Sequence, residues 1–215
     1  AKVAAGDSNY DGAYLNRFLS GTYTPGSTFK LVTSAAALET LHNENSFSYT
    51  CKGSLTLNGE KITCPSVHGT QDFATALANS CNGAFATLAT QVGGKTLEKY
   101  AQEAGLTSKV NVNGLNSAAG NFTAGTSDND VGWSGVGQYK DLVNPCAELT
   151  LMGCIAQGGS AATPRLLKSV TSSKGLPVAH VTTETSQIGW KTDTCDKIRT
   201  LMHNNVTSNY SKSLD

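Results

Sequence analysis

The sequence predicts an α+β domain in which a helical cluster packs on an antiparallel sheet. Three observations point there. Residues 27–41 read as a helix that is apolar on nearly every side, which places it inside a domain rather than on a surface. Leu57-Asn58-Gly59-Glu60 carries a strong two-residue hairpin signal, and residues 164–170 and 178–183 read as further strands. Several helical stretches stop at glycine, so the helices are short and the chain turns back on itself repeatedly. At 215 residues there is enough chain for one substantial core, no linker divides it, and residues 1–215 are taken as one domain.

The elements follow in order. Residues 1–10 are small and polar and form a lead-in. Thr24-Pro25-Gly26 is a turn that releases into the apolar helix. After the hairpin, Asp72 is placed to cap a helix over residues 73–79, which Ser80-Cys81-Asn82-Gly83 interrupts. Helices then span residues 84–92, closed by Gly93-Gly94, and 97–104, closed by Gly105. Residues 110–134 are rich in Gly, Asn, Ser and Thr and read as a long irregular surface segment. Asn144-Pro145 opens a helix to Gln157 with proline at its first position, and residues 193–206 form the last helix on an Ile198, Leu201, Met202 stripe.

Composition excludes some functions. The 16 basic and 16 acidic residues cancel, and no Lys/Arg run exists to neutralise phosphates, so nucleic acid is not an expected partner. No apolar run approaches the roughly 20 residues of a membrane span, and no signal peptide opens the sequence. Cysteine is the open question. A turn at Asn58-Gly59 brings Cys51 within about two residues of facing Cys64, which allows a disulfide. Adding His68 and Cys81 makes a metal set instead, though at loose spacing. Cys146 and Cys154 read as apolar filling.

The chemistry begins with Ser27 and Lys30. Three apart on a helix, they share a face, so hydroxyl and amine can meet. A serine in a first helical turn also lies beside free backbone N–H groups, where negative charge on a substrate carbonyl oxygen is stabilised. Serine needs a base, and lysine serves as one only when burial lowers its pKa. Phe29, Val32 and the alanine run supply such surroundings. S-x-x-K alone is common by chance, but a lysine on a helix with almost no polar face needs partners or a role. Ser80-Cys81-Asn82, at a helix break, can project Ser80 and Asn82 into a cleft. There Ser80 could relay a proton and Asn82 could hold Lys30 and a substrate carbonyl.

Together these motifs resemble a known family. Pro25-Gly26-Ser27-Thr28-Phe29-Lys30 before an alanine-rich helix resembles the first active-site motif of penicillin-binding protein transpeptidases. Ser80-Cys81-Asn82 followed by Phe85 resembles the second, 53 residues after Ser27. His68-Gly69, Gly137-Gln138 and Asn144-Pro145 before a helix ending at Gly158-Gly159 are further similarities. The resemblance covers residues 16–165, and its specificity lies in the order and spacing of motifs that are weak singly.

The resemblance implies a β-lactamase/transpeptidase-like fold and a serine D,D-transpeptidase or carboxypeptidase. Ser27 is then the acylated nucleophile, Lys30 the general base, Ser80 the proton relay and Asn82 the positioning group. Peptidoglycan stem peptides ending in D-Ala-D-Ala are the implied substrates and β-lactams the implied inhibitors. Cell-wall or division proteins are implied partners, and no cofactor is expected. The implied location is extracytoplasmic, with a membrane anchor outside this chain. One departure matters. The family's third motif, Lys-Thr/Ser-Gly on a strand lining the cleft, has no counterpart, since Lys95-Thr96-Leu97 and Lys191-Thr192-Asp193 both lack the glycine. The expectation is a domain truncated before that strand, with its sheet incomplete, which puts the activity of these residues by themselves in question. Two rival functions share the motifs: a serine β-lactamase or β-lactam sensor, and a non-catalytic cell-wall scaffold with a degenerate site.

Overall fold

The computed structural model describes residues 6–179 and 181–210, without the side chains of Ser208 and Tyr210. Residues 1–5 of the expected lead-in and His180 of an expected strand lie outside the described residues.

The framework is helical. A short helix, α1 (Arg17–Ser20), is capped by the Asn16 side chain. The Gly26–Phe29 segment is a 3-10 turn that runs straight into α2 (Lys30–Thr40), buried continuously from Lys30 to Leu38. The all-round apolar sequence therefore does what it predicts: α2 is a central, enclosed helix against which several of the later helices pack. Strands β1 (Tyr49–Cys51), β2 (Ser54–Leu57), β3 (Glu60–Thr63) and β4 (Gly69–Gln71) follow. The Asn58-Gly59 turn closes β2 on β3, with Leu57 opposite Glu60 and φ positive at both turn residues. Cys51 is not on that hairpin. Gly53 turns the chain at φ +90°, and β1 pairs with β4, Cys51 facing Gly69. Cys64 meets Gly53, its N–H donating to the Gly53 carbonyl. Cys51 and Cys64 are thus two residues out of register and carry no disulfide.

Next come α3 (Phe73–Ala78), capped by Asp72 as expected, α4 (Asn82–Val92) and α5 (Gly94–Glu103). Residues 110–134 depart from the irregular segment that was expected. They hold a hairpin, β5 (Asn111–Val112) and β6 (Leu115–Asn116), and most of a helix, α6 (Asp128–Gly135). Both carry local signals that the abundance of small polar residues obscures: an Asn113-Gly114 turn, and a capping box between Ser127 and Asp130. Helix α6 packs closely on α4, where a side chain at Gly135 would meet the Ala89 methyl at 2.2 Å.

The chain ends with α7 (Pro145–Ala156), β7 (Ser160–Ala162), β8 (Val170–Thr171), β9 (Pro177–Ala179), β10 (Thr185–Gln187), α8 (Thr192–Asn205) and a terminal turn over Val206–Tyr210. The strand expected over residues 164–170 is confined to its last residue, and the one over 178–183 to its first two described positions. Leu166, Leu167, Leu176 and Val178 are exposed, so the apolar runs there reflect no buried face. All sheets among the described residues are antiparallel pairs of two strands. The class is α+β, but helices carry the core and no broad sheet backs them among the described residues.

Candidate active site

Helix α2 positions the first pair. Its preceding 3-10 turn leaves Ser27 exposed while Lys30, one turn on, is only 1 % exposed. The Lys30 Nζ lies 3.1 Å from Ser27 Oγ. Sequence places Ser27 in the first turn of an α-helix; the tighter 3-10 winding instead sets it just ahead of α2 and keeps the hydroxyl and amine on one side.

The second motif meets the first from 50 residues away. Lys30 Nζ donates to the Ser80 carbonyl at 2.6 Å, to Ser80 Oγ at 2.8 Å and to Asn82 Oδ1 at 2.7 Å. The three other expected catalytic side chains, Ser27, Ser80 and Asn82, therefore converge on the Lys30 nitrogen. An ammonium has three hydrogens and here has four oxygen neighbours. The longest contact, to Ser27, is the one left for the reverse bond, in which a neutral amine accepts the Ser27 hydroxyl proton.

The break between α3 and α4 makes this reach possible. Ser80 adopts a left-handed backbone at φ +50°, a conformation that is unfavourable by about 1–2 kcal/mol for a residue with a side chain. It persists because neighbouring N–H groups are tied down, Ser80 to the Leu77 carbonyl and Cys81 to the Ala76 carbonyl. Asn82 opens α4, and its amide nitrogen donates to the Thr63 carbonyl at 2.8 Å, which leaves the amide oxygen aimed at Lys30.

Burial lowers the Lys30 pKa from 10.5 to about 8, against opposing pulls from Cys81 and Cys64. Roughly a tenth of the lysine is then neutral at pH 7. A cavity of about 470 Å³ opens beside the pair, with Ser27, Lys30, Ser80 and Glu148 on its polar side and Leu31, Leu77, Met152 and Met202 among its apolar lining. That volume is within the range of small-ligand sites.

Residues outside the two motifs also build the site. Gly137 clamps the turn ahead of Ser27: the Gly26 N–H donates to the Gly137 carbonyl at 2.9 Å. Gly137 has φ +75°, and a Cβ there would sit 2.1 Å from the Gly26 carbonyl oxygen, so no larger residue fits. The Thr33 hydroxyl donates to the Gly135 carbonyl at 2.7 Å, fastening α6 to α2. Glu148 is a wall residue that composition and spacing did not single out. Burial pushes its carboxyl upward, the Thr28 side chain opposing this. Lys95 and Thr96 lie on α5, and Lys191 and Thr192 lead into α8; none lines the Ser27 cavity.

Comparison with known sequences fits this geometry. The penicillin binding protein transpeptidase domain profile matches residues 2–215. The chain belongs to the penicillin-binding protein transpeptidase domain family. It is 30% identical over 175 residues to peptidoglycan D,D-transpeptidase PbpA of Mycobacterium tuberculosis, covering 78% of this chain and 35% of that protein. It is 31% identical over 180 residues to PbpA of Mycolicibacterium smegmatis, covering 80% and 36%. Among solved structures it is similar to penicillin-binding protein A from M. tuberculosis in its imipenem acyl-enzyme complex, at a TM-score of 0.85 and 26% identity over 99% of this chain and 50% of that one. The penicillin G acyl-enzyme complex of the same protein matches at a TM-score of 0.82 and 26% identity, over 96% and 49%. The chain thus spans about a third of the length of these curated relatives and half that of the solved chains.

Proposed function

We propose that this chain carries the nucleophile side of a peptidoglycan D,D-transpeptidase site. The observation that carries the reading is the buried Lys30 nitrogen bridging Ser27 Oγ, Ser80 and Asn82 Oδ1. PbpA relatives named as D,D-transpeptidases, and penicillin-binding protein A trapped as β-lactam acyl-enzymes, support it.

In this reading neutral Lys30 takes the Ser27 hydroxyl proton as Ser27 Oγ attacks the penultimate D-Ala carbonyl of a stem peptide. The resulting oxyanion forms next to the backbone N–H groups of Ser27 and Thr28 in the 3-10 turn, the Gly26 N–H being held by the Gly137 carbonyl. Collapse breaks the peptide bond. The departing D-Ala amine collects the proton from Lys30 through the Ser80 hydroxyl, which touches the amine on one side and faces the cavity on the other. Asn82 holds Lys30 in place and orients the substrate carbonyl. The amine of a second stem peptide, or water, then attacks the Ser27 ester, and the same proton path runs in reverse. A β-lactam acylates the same oxygen. A lysine–threonine pair with a glycine, facing Ser27 across the cleft, would complete substrate-carboxylate binding, and no such triplet occurs in residues 1–215. Stem peptides lie outside the cytoplasmic membrane, so the site works there. None of the described helices is long and apolar enough to cross a membrane.

The test is labelling of the complete transpeptidase domain with a fluorescent penicillin. Stable labelling that Ser27→Ala abolishes is expected. Labelling that survives Ser27→Ala removes Ser27 from the reaction, and rapid turnover of the penicillin makes the protein a β-lactamase.

A further inference from the structure

Beneath the active site lies a second cluster that the acyl-transfer chemistry does not use. Cys51 ends β1, Cys64 follows β3, His68 precedes β4, and Cys81 is the residue before α4. These four come from separate stretches of chain, yet one ligand atom from each lies within 4.8 Å of all the others. The Cys64 and Cys81 sulfurs are 3.9 Å apart. A tetrahedral ion with metal–sulfur bonds of about 2.3 Å sets its sulfurs roughly 3.8 Å apart. A disulfide needs about 2.05 Å, and none is formed here.

The surroundings suit an ion. Cys51 and Cys81 are buried, and the buried Nδ1 of His68 has no hydrogen-bond partner. Polar nitrogen is seldom left so inside a protein unless something absent from the polypeptide completes it. Backbone N–H groups already point at two of the sulfurs, Gly53 to Cys51 at 3.4 Å and Gly83 to Cys64 at 3.2 Å. Such outer donors fix thiolate ligands and offset their charge. Cys81 stands at the positive end of the eleven-residue α4. Three sulfurs and one imidazole form a closed, soft, four-ligand set, the composition of a structural zinc site.

We infer that Cys51, Cys64, His68 and Cys81 bind one structural zinc ion. The ion ties the β1–β4 ladder and the end of β3 to the turn that presents Ser80 and Asn82. Cys81 sits between those two residues, and Asn82 is already hydrogen-bonded to Thr63, the neighbour of Cys64. The zinc thus fixes one wall of the Lys30 cage without touching substrate. It also keeps three thiols from oxidation in an extracytoplasmic setting. Metal binding stands whether or not Ser27 is acylated.

The test is metal analysis of the complete domain, followed by replacement of the metal with Co(II). One zinc per chain is expected. The cobalt form should show intense thiolate-to-cobalt charge transfer and tetrahedral d–d bands, read on the wild-type protein without reliance on any variant. His68→Ala should weaken zinc affinity more than about 100-fold, whereas Cys146→Ser, at a buried cysteine outside the cluster, should leave stoichiometry unchanged. Metal-free protein that gives only octahedral cobalt bands overturns the inference. So does a disulfide between any two of Cys51, Cys64 and Cys81 in freshly isolated protein.

Discussion

Lys30 and Asp141 are both ionisable, both 1 % exposed, and opposite in their surroundings. Lys30 has four oxygen neighbours within 3.1 Å. Neither carboxylate oxygen of Asp141 has a partner at full hydrogen-bond geometry, the Tyr139 backbone alone opposing its shift, and Glu148 Oε1 on the cavity wall is likewise unpaired. Burial acts on each in the same direction, toward the neutral form: it lowers Lys30 to about 8 and raises Asp141 to about 7. The difference shows that desolvation alone tunes a proton affinity, while a hydrogen-bond cage decides where the tuned group points. Only Lys30 has both, and only Lys30 is aimed at a nucleophile.

The largest effect should come from removing the tuned group. Lys30→Met keeps the side-chain length and takes away the base. Penicillin acylation of the complete domain should fall by about 10³-fold, within the range of lost general-base catalysis. Folding should survive, because an apolar side chain of similar volume replaces a buried charge. Retained acylation with intact circular dichroism would end the distinction drawn between the two buried ions.

A smaller effect tests the frame around the cage. Gly137→Ala places a methyl against the Gly26 carbonyl at positive φ. It should destabilise the domain by about 2–4 kcal/mol in denaturant unfolding. Acylation should slow as well, since the Ser27 turn hangs on Gly137. A change under about 0.5 kcal/mol would mean that the contact is slack.

The smallest effect lies on the other side of the comparison. Asp141 binds a proton up to about pH 7 in the folded chain and only to about 3.8 when unfolded. Its folded pKa is raised, so it favours folding as pH falls from about 7 toward 4 and opposes folding above that window. Asp141→Asn should raise the Tm by a few degrees at pH 8, flatten the pH dependence between 4 and 7, and leave acylation unaltered. Differential scanning calorimetry at several pH values reads this directly. An unchanged Tm at pH 8 would show Asp141 to be solvated.

Much of the site was legible in sequence because its chemistry is local. Ser27 and Lys30 share a helical face by spacing, and Ser80 and Asn82 sit at a break marked by Asn82-Gly83. Their meeting, 50 residues apart, was not local: the helix break made it conceivable, and the resemblance singled it out. The remaining site residues belong to the same non-local class. Gly137 matters through a contact with Gly26 that no periodicity announces, and Glu148 faces the cavity only because α7 packs where it does. Helix α6 was missed for another reason. Its Ser127–Asp130 capping box is explicit, but the Gly, Asn and Ser around it resemble loop composition, and packing against the alanines of α4 overrides that weak propensity. The strands near residues 164–183 were overread: Leu166, Leu167, Leu176 and Val178 are exposed there, so no buried face holds the chain extended.

The central claim is that Ser27 is activated by a lysine that burial keeps partly neutral. Its most direct measurement is the rate of penicillin acylation of the complete domain as a function of pH. The account predicts an ascending limb governed by a group of pKa about 8, with a roughly 50-fold fall between pH 8 and pH 6 as Lys30 takes up a proton. A rate that stays flat across that interval would contradict it.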